Sequence, residues 1–194
     1  MKKFLAVLLV ALFGAVPLFA DDAADVKSVI VNDFELQKAG DFAGKLALYA
    51  PDYLETEPDG KTIDYEQAKL IMQAFDGKHP KAFLLMVAMD HLKGAEIPPE
   101  MMARIDEMAR NPEFVKQYEA AVPNAVAMLK EAAVLELKSL AFVSVNVEGD
   151  KAVALVEYDS KDPKTGEIKR KVVNVSLRKT DGKWLFYRSV IKFK

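Results

Sequence analysis

The sequence predicts an α+β fold, in which helices are followed by an antiparallel sheet. Through residues 22–137 apolar side chains recur mostly at helical spacing, whereas after residue 140 they recur at every second position. Short turns at 149–150 and 181–182 join the later runs as hairpins. The 194 residues include no cysteine, so one domain must be stabilised by its core without disulfides.

The first twenty residues are typical of a secretory signal peptide. Two lysines precede an apolar run over residues 4–16, and the small Ala20 stands before two aspartates. The alternative is an uncleaved membrane anchor, for which residues 4–20 are at the short limit. We expect cleavage after Ala20 and export to a periplasm or the extracellular space. Residues 21–194 would then form one soluble domain without a stable membrane anchor.

The N-terminal part predicts three helices and one short strand. A first helix over 21–39 ends before a glycine, and a second over 41–49 ends before Pro51. A strand follows over 53–57, and a third helix begins at Asp64 and runs to residue 75.

The middle of the chain predicts further helices. Residues 82–89 are all apolar and poor in β-branched side chains, which favours a buried helix. Others follow over 100–110 and from residue 112, the last interrupted by Pro123 and resumed over 124–137. Methionines in this part, with His91, are consistent with a copper(I) site, but a core role for methionine is favoured. We expect no metal and no cofactor.

Four strands at the C-terminal end predict a meander. Their expected ranges are 142–148, 151–159, 167–179 and 183–194. The basic residues there alternate with apolar ones, as on the solvent face of strands. With a net charge of −2, nothing indicates nucleic acid as a partner.

Two segments resemble the nuclear transport factor 2-like superfamily. They are Leu-Ala-Leu-Tyr-Ala-Pro-Asp-Tyr at 46–53 with Glu-Pro-Asp-Gly-Lys at 57–61, and Thr-Asp-Gly-Lys-Trp-Leu-Phe-Tyr-Arg at 180–188. The resemblance implies a cone: N-terminal helices packed in the concavity of a curved antiparallel sheet, with a pocket at the open end. It covers residues 22–75 and 138–194, so we expect a helical insertion at about 78–130.

The last strand supplies the first candidate binding residue. Strict alternation places Trp184 and Arg188 on one face, and the resemblance turns that face toward the helices. An inward Arg188 needs a partner, for which Glu157, Asn174 and Ser176 are candidates. The functional interpretation is a pocket for an anion or carboxylate; the structural one, which we favour, is an ion pair at the rim.

The first strand carries the candidate acid–base groups. Enzymes of the superfamily resemble polyketide cyclases and ketosteroid isomerases, which transfer protons beside a carbonyl. Tyr53, Glu55 and Glu57 share one face of the strand by alternation. We favour ordinary surface carboxylates and assign no catalytic residue. His79 and His91 are not expected to be catalytic either.

The sequence therefore leaves three interpretations of function. The leading one is non-catalytic: a small apolar or anionic ligand in the cone pocket, bound by Tyr53, Trp184 and Arg188 with Glu157 and Asn174, or association with a protein. The second is a cofactor-free enzyme of the cyclase or isomerase type. The third is a homodimer formed through the outer sheet face, where an apolar strip is expected from Leu185, Tyr187, Ile191 and Phe193.

Overall fold

A computed structural model describes residues 22–92, 97–162 and 165–194, and the predicted signal peptide lies outside these residues. The described helices are α1 (Asp22–Ala39), α2 (Phe42–Leu46), α3 (Tyr65–Ala74), α4 (Pro80–Leu92), α5 (Pro99–Met108) and α6 (Pro112–Ser139). The strands are β1 (Tyr49–Thr56), β2 (Thr62–Asp64), β3 (Ala141–Glu148), β4 (Lys151–Lys161), β5 (Ile168–Thr180) and β6 (Lys183–Phe193).

The strands form one curved sheet in the order β2-β1-β6-β5-β4-β3. All neighbours are antiparallel except β1 and β6, which are parallel. The predicted α+β class and the C-terminal meander are confirmed, with strand ends within two residues of expectation. Helices pack on one face of this sheet, and α1 contacts β3, β6 and α6.

The core forms between α1 and the concave sheet face. Val26, Ile30 and Phe34 are buried and lie four residues apart, which places them on one side of α1. They pack against alternate residues of β4, β5 and β6, among them Val156 and Leu177, each at most 1% exposed. This layer fixes α1 over the sheet.

The second helix is shorter than predicted and β1 begins earlier. Helix α2 ends at Leu46, and Tyr49 already pairs with Phe186 of β6. Pro51 therefore lies inside a strand instead of ending a helix. The pairing register shifts between Tyr49 and Leu54, and such an irregularity accepts a residue without an amide donor.

The apolar segment predicted as a buried helix is helical but not buried. Helix α4 packs mainly on α3 and α5, away from the sheet, and of its residues only Ala82 is fully buried. Val87 is 46% exposed. An apolar run fixes the helix but not its burial, which depends on whether a second layer covers it.

Helix α6 passes through Pro123 without the predicted interruption. A proline removes one amide donor, and packing of the rest of the helix against α1 and β4 outweighs that loss. The Tyr118 hydroxyl donates to the carbonyl of Ala74 at 3.0 Å, joining α6 to the end of α3. No helix in the described part of the chain is long and apolar enough to span a membrane.

A β-bulge in β6 changes which residues face the helices. Phe186 pairs with Leu177 and Arg188 pairs with Ser176, so Tyr187 is an extra residue. Beyond it the alternation is reversed: Ser189 and Ile191 are buried, whereas Arg188 is exposed.

Candidate functional site

A cavity of about 240 Å³ lies between α1, α6 and the concave sheet face. Its lining combines apolar side chains with an unusual share of polar ones. The polar and aromatic members are Asp33, Phe34, Gln37, Lys45, Tyr49, Tyr53, Glu55, Glu57, Glu136, Tyr158, Lys171, Phe186 and Ser189. The cavity therefore offers both apolar contact and groups that can form hydrogen bonds.

Strand β1 directs a hydrogen-bonded series of side chains into the cavity. The hydroxyl of Tyr53, a residue only 3% exposed, donates to Oε2 of Glu55 at 2.8 Å. Burial raises the pKa of Tyr53, and the Ser189 hydroxyl, which the bulge in β6 has turned inward, opposes that rise. The Tyr53 ring stacks on that of Tyr49 with centroids 4.4 Å apart. These contacts hold the Glu55 carboxyl in a defined position.

The Glu55 carboxyl has an altered acidity. Burial raises the pKa of Glu55 to about 7, the hydrogen bond from Tyr53 opposes the rise, and the nearby Glu57 carboxyl adds to it. Glu57 lies two residues along the same strand and lines the same cavity, so a second negative charge close by favours the protonated form of Glu55.

A second polar group on the cavity wall is internally satisfied. Lys45 of α2 donates to Asp33 at 2.9 Å and to Gln37 at 2.7 Å, both on α1. The Tyr49 hydroxyl donates to the other Asp33 oxygen at 3.3 Å. Lys45 and Asp33 are each close to 90% buried, and their charges compensate one another. This cluster connects α1, α2 and β1 and leaves little capacity for a ligand.

A third polar group involves α6. Glu136 is 8% exposed and accepts a hydrogen bond from Ser160 at 3.1 Å. Burial raises the pKa of Glu136, and the positive charge of the half-buried Lys171 opposes that rise. Lys171 also stands 5.9 Å from the Tyr158 ring centroid. The charges of Glu136 and Lys171 therefore compensate one another at the cavity wall.

Tyr158 of β4 places an unsatisfied hydroxyl in the cavity. The residue is 8% exposed, its ring meets Phe34 edge to face, and its hydroxyl forms no hydrogen bond with any described residue. Burial raises the pKa of Tyr158, and the carboxyls of Glu136 and Glu55 add to the effect. The hydroxyl is consequently a neutral donor close to the carboxyls.

The structure corrects the predicted position of Arg188. The expected inward orientation is wrong, because the extra residue Tyr187 turns Arg188 to the outer face. Ile191, expected in an outer apolar strip, is buried inside for the same reason. Trp184 does face inward, but it belongs to the core and does not line the cavity. Of the predicted ligand-binding residues, Tyr53 lines the cavity.

The other predicted binding residues also lie on the outer face. Asn174 is exposed there and pairs with Val190 across β6. Glu157 accepts from Arg170 at 3.4 Å and from Lys194 at 3.2 Å, and the Lys194 hydrogen bond holds its pKa below the ordinary value. Neither residue approaches Arg188 as a partner in a pocket.

Treating Glu55 and Glu57 as ordinary surface carboxylates is wrong, since both line the cavity. Their shared face with Tyr53 follows from alternation and is confirmed. Asp52, on the opposite face of β1, is exposed and pairs with Arg178. Asp33 and Glu136 were not found from the sequence, because they lie on helices whose inward face depends on packing.

The histidines and methionines lie elsewhere. His79 is hydrogen-bonded to Asp76 at 2.6 Å in an exposed turn. His91 borders a separate groove between α3 and α4, with half-buried Met86 and Met89, so the predicted core role for these two methionines is only partly met. Within the described ranges, no three His, Cys, Asp or Glu side chains are grouped as metal ligands.

The order of elements identifies the architecture. Two helices, a short hairpin and a third helix precede the four-stranded meander, and the curved sheet leaves a hollow beside α1. The fold is nuclear transport factor 2-like. The helices α4 and α5 and the first half of α6 occupy the range predicted as an insertion, and their status as an insertion stays a prediction.

Comparison with known proteins gives similar folds at low identity. An NTF2-like protein with a cystatin-like fold from Novosphingobium aromaticivorans is 13% identical, with 100% of this chain and 90% of that chain covered and a TM-score of 0.47. An NTF2-like protein of unknown function from Silicibacter pomeroyi is 15% identical, with 89% and 95% covered and a TM-score of 0.45. A ketosteroid isomerase-like protein from Erwinia carotovora atroseptica is 11% identical, with 90% and 98% covered and a TM-score of 0.44. No protein-family model and no curated protein matches the chain.

The raised pKa of Glu55 predicts a pH-dependent stability. The folded protein keeps the Glu55 proton up to about pH 7, whereas the unfolded chain releases it near the ordinary value of 4.5. The free energy of unfolding should therefore fall as pH rises between these values. Glu55→Gln should remove this decline and be more stable than the wild type at pH 8, by on the order of 2 kcal/mol.

Urea denaturation from pH 5 to pH 8 measures the difference. The matched control is Asp52→Asn, which removes an exposed carboxylate from the opposite face of β1 and should keep the wild-type pH profile. A wild-type decline that Glu55→Gln leaves unchanged would contradict the assignment of the retained proton to Glu55.

Proposed function

We propose that the chain binds a small polar ligand in the cavity of the cone. The observation that supports this most directly is the Glu55–Glu57 pair, which lines the cavity with no ion-pair partner among the described residues. A carboxyl largely removed from water, as the raised pKa of Glu55 indicates, costs folding free energy unless other groups compensate it. A ligand that hydrogen-bonds to the pair would supply that compensation.

The size of the cavity fits a small molecule. Its volume of about 240 Å³ exceeds the roughly 150 Å³ of an engineered protein cavity that holds benzene. The aromatic walls from Phe34, Tyr49 and Phe186 offer apolar contact, and the carboxyl and hydroxyl groups offer orientation. The prediction of an anionic ligand depended on an inward Arg188, and it is no longer supported because Arg188 lies on the outer face.

A cavity-filling substitution tests ligand binding. Ser189→Leu should occupy the cavity and reduce the affinity of any cavity ligand at least tenfold, because the added side chain takes its volume. Ser176→Leu is the matched control: it places the same change on the outer face of the neighbouring strand and should have no effect. Ligand-detected NMR with a panel of small neutral, anionic and cationic ring compounds measures the affinities.

Circular dichroism should confirm that both variants are folded, and Val175→Leu offers a second way to fill the same cavity. If no compound in the panel binds the wild type, or if binding survives both cavity-filling substitutions, ligand binding in the cavity is wrong.

A second candidate function is proton transfer without a cofactor. It is favoured by one observation: a carboxyl with a pKa of about 7 is held by a tyrosine hydroxyl inside the cavity. A group titrating near the working pH can both accept and return a proton, and Tyr158 provides an unoccupied donor for a developing oxyanion. Glu55 would be the base, positioned by Tyr53.

Deuterium uptake by cyclohexanone in D₂O tests this candidate. Catalysis by Glu55 should accelerate exchange at the carbons beside the carbonyl, and Glu55→Gln should reduce the protein-dependent rate by about 100-fold or more. Asp52→Asn should keep the wild-type rate. Equal exchange with and without the wild-type protein, followed by NMR, would rule out this activity for simple ketones.

A further inference from the structure

We infer that the cavity selects a small organic cation, a protonated amine carried on an apolar ring or chain. The inference rests on the proposed ligand binding and names the class of ligand. It comes from the balance of charge around the cavity, from an unused hydroxyl and from the aromatic walls.

The charge balance leaves one acidic group without a counterion. Asp33 is neutralised by Lys45, which is committed to it and to Gln37. Glu136 faces the positive charge of Lys171. Glu55 and Glu57 have no Lys, Arg or His at ion-pair distance within residues 22–92, 97–162 and 165–194, and the charge of Lys45 is the smallest of the effects on the pKa of Glu55.

The unused hydroxyl of Tyr158 is a second, independent sign of a ligand. Its residue is more than nine-tenths buried, lines the cavity and makes no hydrogen bond with the described part of the chain. The hydroxyl therefore remains available to hydrogen-bond to a group placed in the cavity. An ammonium has three donors and can reach the hydroxyl oxygen as well as the carboxyls.

The aromatic walls favour a cation over a neutral donor. The rings of Tyr49, Tyr53 and Tyr158 line the same cavity as the carboxyl pair. The face of an aromatic ring attracts an ammonium group, and a carboxylate adds a charge-assisted hydrogen bond. An anion would instead meet the unpaired negative charge of Glu55 and Glu57.

Binding of such a cation should displace the proton that Glu55 retains. At pH 6 most molecules keep that proton, and at pH 8 most have released it. The groups that face Glu55 in the cavity are Tyr53, Glu57, Asp33, Lys45, Tyr49, Glu136, Tyr158 and Lys171. Burial and the neighbouring Glu57 raise the pKa of Glu55 to about 7, which lies inside this interval. Affinity for an ammonium should therefore rise with pH.

Three ring compounds of similar size test the inference: cyclohexylammonium, cyclohexanol and cyclohexanecarboxylate. At pH 8 we expect cyclohexylammonium to bind at least tenfold more tightly than cyclohexanol, and the carboxylate to bind more weakly than cyclohexanol. Between pH 6 and pH 8 the affinity for the ammonium should rise by up to about tenfold, whereas that for cyclohexanol should stay constant. Titration calorimetry on the full chain measures all three.

Variants assign the selectivity to residues. Glu57→Gln should reduce the preference for the ammonium over cyclohexanol at least fivefold. Tyr158→Phe should weaken ammonium binding about threefold, because it removes the hydroxyl and keeps the aromatic ring that contacts the ligand. Asp52→Asn, on the outer face of β1, should change neither value. An unchanged preference in Glu57→Gln would overturn the inference.

The outcomes separate this inference from the function on which it rests. If the three compounds bind equally, or the carboxylate binds best, and Ser189→Leu abolishes binding, the cavity binds ligands but the cation selectivity is wrong. If Ca²⁺ binds the wild type and cyclohexylammonium does not, the carboxyl pair serves a metal and the inference is overturned. If neither these compounds nor the wider panel bind, ligand binding in the cavity fails as well.

Discussion

The extra residue in β6 determines the chemistry of the cavity. Without Tyr187 as a bulge, alternation would continue from Trp184 and Phe186 and would bring Arg188 inward. The bulge replaces that guanidinium with the small hydroxyl of Ser189, which is buried and lines the cavity. An inward Arg188 on this strand would neutralise the carboxyls of β1. Because Arg188 faces outward, it does not supply a positive charge to these carboxyls.

The cavity wall contains two kinds of polar group, and their contrast is informative. The Asp33–Lys45 pair is satisfied by contacts within the protein and joins three elements, so it serves the fold. Tyr53 holds Glu55 in place, but among the described residues the Glu55–Glu57 pair has no cation at ion-pair distance and the Tyr158 hydroxyl has no hydrogen-bond partner. A carboxyl removed from water, as the raised pKa of Glu55 indicates, lowers stability unless another group compensates it. The presence of these groups favours a ligand-binding role over a role in stabilising the fold.

Much of the fold could be predicted from the sequence. The change from helical to alternating periodicity near residue 140, with short turns, determines the meander, and alternation places Tyr53, Glu55 and Glu57 on one face. These are local patterns, and local geometry is sufficient to interpret them.

What could not be predicted depends on tertiary packing. A bulge is one extra residue in the pairing of two strands, and a tyrosine at position 187 does not by itself indicate one. The partial exposure of α4 depends on which elements cover it, because its residues 82–89 are all apolar and give no sign of an exposed side. The inward position of Asp33 and Glu136 depends on how α1 and α6 are rotated against the sheet. The burial that raises the pKa of Glu55 arises only when all of these elements meet.

The proton that Glu55 retains is the central claim, and carbon-13 NMR of the glutamate side-chain carboxyls tests it most directly. On titration from pH 3 to pH 9 the account predicts that the Glu55 carboxyl changes its chemical shift with a midpoint of about 7. If the Glu55 carboxyl instead titrates near the ordinary value of 4.5, the cavity does not raise its pKa and the account is contradicted.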